Sequence, residues 1–352
     1  MIMASPLFVE AQMADARIRF REKLQVQLAS VLALGAVYFA LWRLVRPWDP
    51  EGPMMFWPDG GWAATGTMAA VLCVLAVVCA LATLPARIEG ALAATLIGAA
   101  GVSLRSPQIH AMLWMRQDDL SGLFVRMIVE TVVLFAMLVA AAAIIALVRH
   151  AVRSIKPTWV YRPTSARGPR TATGETSTAD SGLMSKPGWA IWAEWFGPHA
   201  SGGPVARGGS RPGPQGGRSG LSQWLGFAAL ELLVSGGLVL LLMQSSQRGQ
   251  ILFSLAVSFF VAVIVARKAF RLRCSPVTWL TPMAVSIVLY VLAAVSSIPG
   301  VGEAWMNVPA YSRALPIDWL TVGAGGAALG YWVGERLDEA RALEIKEGKQ
   351  GA

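Results

Sequence analysis

Ser121–Val148 reads SGLFVRMIVETVVLFAMLVAAAAIIALV, and Arg126 and Glu130 are its only charges. The last eighteen residues of that stretch, Thr131–Val148, carry no charge at all. A helix rises ~1.5 Å per residue and the hydrocarbon core of a bilayer is ~30 Å thick, so a run of this length and composition matches a transmembrane helix. Lipid offers the backbone no hydrogen-bond partners, and a helix supplies its own. The stretch therefore fixes the class as an all-α, polytopic integral membrane bundle, provided that similar runs recur.

They do recur. The other apolar blocks are Leu28–Arg46, Trp62–Leu84, Ile88–Leu104, Leu221–Met243, Gln250–Ala266, Val277–Ser296 and Pro316–Glu335, which makes about eight spans in two groups of four. Helix breakers separate them: Pro47 and Pro50, Pro85, Pro107, Pro276, and Pro299–Gly300. The 352-residue chain is 55% hydrophobic and only 14% charged, with a mean hydropathy of +0.53. Soluble domains carry about 25% charged residues.

The net charge of +9 would suggest nucleic acid in a soluble protein, but no recognition fold accompanies it. Its distribution instead orients the chain. With the N-terminus in the cytoplasm, 23 Lys and Arg fall inside and four (Arg105, Arg116, Arg248, Arg313) fall in outer loops. Long loops count little toward this bias. Without the ten basic residues of the central segment, the tally is still thirteen against four. Both termini are thus expected in the cytoplasm, and eight spans satisfy every loop. Arg outnumbers Lys 24 to six, and Ala and Gly abound, which points to a high-GC bacterium and its inner membrane.

The chain divides into five zones. Residues 1–27 form a cytoplasmic amphipathic segment with Arg17, Arg19, Arg21 and Lys23 interleaved with Ile18, Phe20 and Leu24. Residues 28–148 and 221–335 are the two membrane halves. Residues 149–220 form a basic linker rich in Gly, Pro and Ser that cannot build a core of its own. Within it the island 186–198, KPGWAIWAEWFGP, sets Trp189, Trp192 and Trp195 at helical spacing, as an interfacial anchor or a docking motif for a partner. Residues 336–352 are a charged cytoplasmic tail. The halves show no sequence repeat beyond coincidences such as Asp119 and Asp318, each heading the last span of its half.

Ionisable groups in the membrane interior are costly and mark candidate sites. Glu130 and Glu231 both count to near the midplane, ~13 and ~15 Å deep at helical rise. If their two spans packed together, the carboxyls would share a cavity suited to a proton relay. Arg126, one turn from Glu130, offers the plainer reading of a neutralising pair. Gly326, Gly330 and Gly334 repeat every fourth residue in the last span, and Gly90, Ala94 and Gly98 do so in the third. Such faces let helices approach closely, either within the chain or in a homo-oligomer or partner complex.

Other chemistries are not visible. Cys73 and Cys79 lie six residues apart on different helix faces, and no CxxC or mixed Cys/His pattern occurs. His110, eight and nine residues before Asp118 and Asp119, makes a poor metal motif. No histidine (110, 150, 199) falls inside a span, so an intramembrane serine nucleophile would lack its base. HExxH and GxxxxGK[ST] are absent from the sequence. The expectation is a non-catalytic membrane protein without a cofactor, serving as scaffold, assembly factor or accessory subunit. The alternative is a secondary transporter or permease subunit that uses the two glutamates. Lipid is the expected partner, and nucleic acid is not.

Overall fold

The computed structural model describes residues 22–46, 61–86, 88–107, 109–156, 159, 216–270, 275–296, 307–334 and 337. Most of the central linker, including Trp189, Trp192 and Trp195, lies outside these residues, as do the tail except Leu337 and the N-terminal segment before Glu22. Among the described residues there is no strand.

The helices are α1 (Glu22–Val45, with a π-turn at Val37–Leu41), α2 (Gly61–Ala82), α3 (Ile88–Arg105), the short α4 (His110–Met115), α5 (Leu120–Ile155), α6 (Gly216–Leu242), α7 (Arg248–Ala269), α8 (Ser275–Ser296) and α9 (316–334, with a π-turn at Trp319–Gly323). Seven of them are long and apolar enough to cross a membrane: α1, α2, α3, α5, α6, α7 and α8. Their ends follow from local chemistry. Asp119 caps α5 by accepting from the Gly122 N–H at 3.0 Å. Pro316 opens α9 at its first position, where no N–H is needed, and the Asp318 carboxylate accepts from the Leu315 N–H at 2.8 Å.

A belt of large apolar side chains faces outward. Leu32, Leu147 and Val295 are 70%, 72% and 81% exposed, and Val74, Val132, Leu233, Phe253 and Val291 join them. Exposed apolar surface on this scale needs lipid or protein against it, not water. The chain is a multi-pass membrane protein of helical build.

α9 explains the packing. Its glycines make it less apolar than the other seven, yet from Pro316 to Ala328 every residue except Val322 is buried. It packs on α3, α5, α7 and α8, and so sees protein rather than lipid. Gly326 and Gly330 are the reason it fits. A Cβ on Gly326 would stand 2.4 Å from the Ala256 carbonyl oxygen, and one on Gly330 would stand 2.4 Å from that of Phe260. Gly334 leaves room for the stem of Arg267. The repeat thus brings α9 into backbone contact with α7 inside the chain. α3 meets α1 in the same way, with Gly98 against Ala33 and Gly101 against the Leu34 and Tyr38 backbone.

The helices before and after the linker interleave in space. α8 packs on α5, α9 packs on α3 and α5, and one hydrophobic core runs from Ala33 to Tyr331.

Candidate functional site

The charged residues that enter the bundle collect at two levels near its ends, with carboxyls between them. At one end, α7 begins with Arg248 and α9 with Asp318, and α3 ends just after Ser103. Asp318 is wholly buried and Arg248 14% exposed. The guanidinium grips both carboxylate oxygens, each at 2.5 Å, and donates to the Ser103 carbonyl at 2.8 Å. The Ser103 hydroxyl pairs with that of Thr321 at 2.7 Å. A buried carboxylate sustains its charge when a bidentate guanidinium and a backbone N–H satisfy its oxygens, and Asp318 has both. These contacts tie α3, α7 and α9 together.

Beneath this clasp lies an aromatic layer of Phe124, Phe259, Tyr290 and Trp319, all fully buried. Trp319 stands edge-on to Phe259 and Tyr290 at 6.1 and 6.5 Å, and the Tyr290 hydroxyl donates to the Ala314 carbonyl at 2.6 Å. Glu130 is fully buried within electrostatic reach of that hydroxyl, as are Asp318 and Arg248. Arg126 is half-buried. Glu130 belongs to the layer below the Arg248–Asp318 clasp.

Glu231 sits elsewhere. It is fully buried on α6, with its carboxyl beside the Thr281 side chain of α8, and neither oxygen makes a hydrogen bond of ordinary geometry. α8 packs on both α5 and α6 and stands between them. It meets Glu231 at Thr281, and Glu130 lies within electrostatic reach of its Tyr290 hydroxyl.

At the opposite end the cations close helix termini. Arg149, 6% exposed, donates to the Thr83 carbonyl at 2.5 Å and the Ala86 carbonyl at 3.0 Å, where α2 has run out of N–H donors. Glu89 of α3 is close by. Arg267, in the last turn of α7, donates to the Tyr331 carbonyl at 3.3 Å and lies 4.4 Å over the Tyr331 ring. Outside the spans, Arg313 donates to His110 Nε2 at 3.0 Å and to the Val308 carbonyl. Burial, then the Arg313 charge, pulls the His110 pKa below its ordinary value. His110 is thus engaged by a cation rather than by Asp118 or Asp119.

Comparison with protein families, with curated proteins and with solved structures finds no match.

Among the described residues, no three His, Cys, Asp or Glu side chains gather to hold a metal ion. Cys73 and Cys79 are both free thiols. Sequence reading missed the Arg248–Asp318 clasp, because it placed Arg248 in an outer loop and treated Asp318 only as a span head. The one signal was a carboxylate, Asp318, in a segment otherwise uncharged from Pro316 to Gly334.

Proposed function

We propose that the chain is a non-catalytic, eight-span protein of a bacterial inner membrane, with four spans on each side of the linker and both termini in the cytoplasm. It serves as a scaffold, assembly factor or accessory subunit. The observation that carries this reading is the use of the buried cations. Arg149, Arg248 and Arg267 each close a helix end or join helices, with hydrogen bonds to backbone carbonyls, the Asp318 carboxylate and the Thr83 hydroxyl. Such bonds fix helices relative to one another. Together with the backbone contact of α9 on α7, they favour a bundle with a single arrangement, which is what a scaffold needs.

One observation favours transport as a second reading. Thr278 and Thr281 lead inward along one face of α8 to Glu231. Ser258 and Ser254 on α7 are buried with unpartnered hydroxyls. From the hairpin, where Gln250 donates to the Leu242 carbonyl, Ser258 counts to within a turn of Glu231's level, and Ser254 steps on toward Arg248. This makes a string of polar side chains from one end of the bundle to the other.

Purified full-length protein in sealed vesicles, with a pH-sensitive dye inside and an imposed pH gradient or potential, separates the two. A scaffold gives the proton flux of protein-free vesicles. A gradient-driven flux that Glu231→Gln abolishes would replace the scaffold reading with transport.

A further inference from the structure

Glu231 differs from Asp318, Arg149 and Arg267. Asp318 has a guanidinium and a backbone N–H, and Arg149 and Arg267 have carbonyls. Glu231 is as deeply buried, yet its oxygens meet no cation or backbone N–H at hydrogen-bond distance, and the Thr281 hydroxyl is the polar group beside them. A carboxylate left so in a low-dielectric interior costs far more than the same group as a neutral acid, so it takes up a proton. Thr281 is beside it, and Thr278, also fully buried, lies one turn earlier on the same face of α8.

The helix that supplies those threonines carries Pro282 at this level, inside an otherwise continuous α8, and the ring removes one N–H from the helix ladder. Across from it, the Cβ of Pro282 comes within 3.2 Å of where a Cβ on Gly323 would lie, at the end of the π-turn of α9. Such turns recur at functional sites. Thr281 is six residues from the start of α8, ~9 Å at helical rise. The Thr278 and Thr281 hydroxyls thus form a short polar ladder leading from that end of the bundle toward the Glu231 carboxyl.

We propose that Glu231 is a proton-binding site: a neutral carboxylic acid within the bundle whose proton exchanges with water along the Thr278–Thr281 face of helix α8. The site holds whether the bundle is a scaffold or a transporter, since it requires exchange at one end only. Proton movement here makes and breaks a single O–H bond, with water as donor and acceptor.

Infrared difference spectroscopy of the full-length protein in hydrated vesicles at neutral pH tests it. Subtracting Glu231→Gln from the native spectrum should leave one carboxylic-acid carbonyl band. That band should shift downward in heavy water and stay the same when sodium chloride replaces choline chloride. A difference in the carboxylate region instead would mean an ionised group and would overturn the proposal. Loss of the acid band on adding sodium would assign the site to a metal cation and also overturn it. A band that heavy water does not move would make Glu231 an inert acid, which defeats the exchange. Thr281→Val should slow the heavy-water shift without removing the band. Should Glu231→Gln not insert, Glu231→Asp gives the same reading as a displaced band.

Discussion

Asp318 shows what one side chain does in this bundle. With the Arg248 guanidinium on both its oxygens and the Leu315 N–H on one, its charge is matched inside the protein. Asp318→Asn leaves the guanidinium buried without its counter-charge, and breaking a buried pair from one side costs ~3–5 kcal/mol. Arg248→Met does the same to the carboxylate. Replacing both by apolar groups removes the uncompensated charge, so Asp318→Leu with Arg248→Met should cost less than either single change. Unfolding titrations in mixed micelles measure all three, and additive losses would refute the clasp. His110 works in the opposite sense. It accepts from Arg313 only when neutral, and its pKa lies below the ordinary 6.5 through burial and the Arg313 charge. The unfolded state therefore binds more protons between the two pKa values. The contact is fully formed above 6.5 and is lost as pH falls through the lowered value. Amide exchange in α4 and in 310–313 should rise on acidification below 6.5, and His110→Asn should remove that dependence.

At the scale of the helix, much of the fold was legible. Blocks such as Gln250–Ala266 and Ser121–Val148 lie inside α7 and α5, since an apolar run marks where lipid or core must be met. α5 continues to Ile155 because Arg149, read from sequence as the start of the linker, instead reaches the open carbonyls of α2. That partner is 66 residues away, and no local pattern announces it. The candidate site was legible only in part. Burial of Glu130 and Glu231 followed from their place in apolar runs, while the Arg248–Asp318 clasp is a matter of helix arrangement. The glycine repeat announced a close approach without naming the neighbour, because a period of four defines a face and not what lies against it. The difference between adjacent glycines is now testable. Gly326→Ala puts a methyl 2.4 Å from a main-chain oxygen of α7, which cannot give way like a flexible side chain. Gly325→Ala meets Ile97 at an ordinary 3.8 Å. Overpacking costs ~1–3 kcal/mol and more when backbone must move, so Gly326→Ala should lower the melting temperature in detergent while Gly325→Ala leaves it near the native value. Equal effects would mean that α9 does not touch α7 as described.

For the whole molecule, the eight-span proposal turns on α9. A helix buried on nearly every side need not be apolar toward lipid; it must satisfy its polar groups and fit between its neighbours. Asp318 and Thr321 have their partners, the glycines provide the fit, and nineteen residues rise ~28 Å, close to the hydrocarbon thickness. α9 also begins beside the start of α7 and the end of α3 and closes against the end of α7, so it runs parallel to α7 for the length of the bundle. Three crossings then separate Gln247, before α7, from Leu337, after α9, and one crossing separates Lys156 from Gln247. With Cys73, Cys79 and Cys274 replaced by Ala or Ser, single cysteines at 156, 247 and 337 can be probed in intact cells with a membrane-impermeant maleimide. Charge distribution puts Gln247 outside, so Gln247→Cys should label while Lys156→Cys and Leu337→Cys label only after the cells are opened. Labelling of both 247 and 337 from outside would leave α9 short of a crossing and reduce the bundle to seven. Labelling of 156 and 337 without 247 would keep eight spans and invert the chain, against its loop charges.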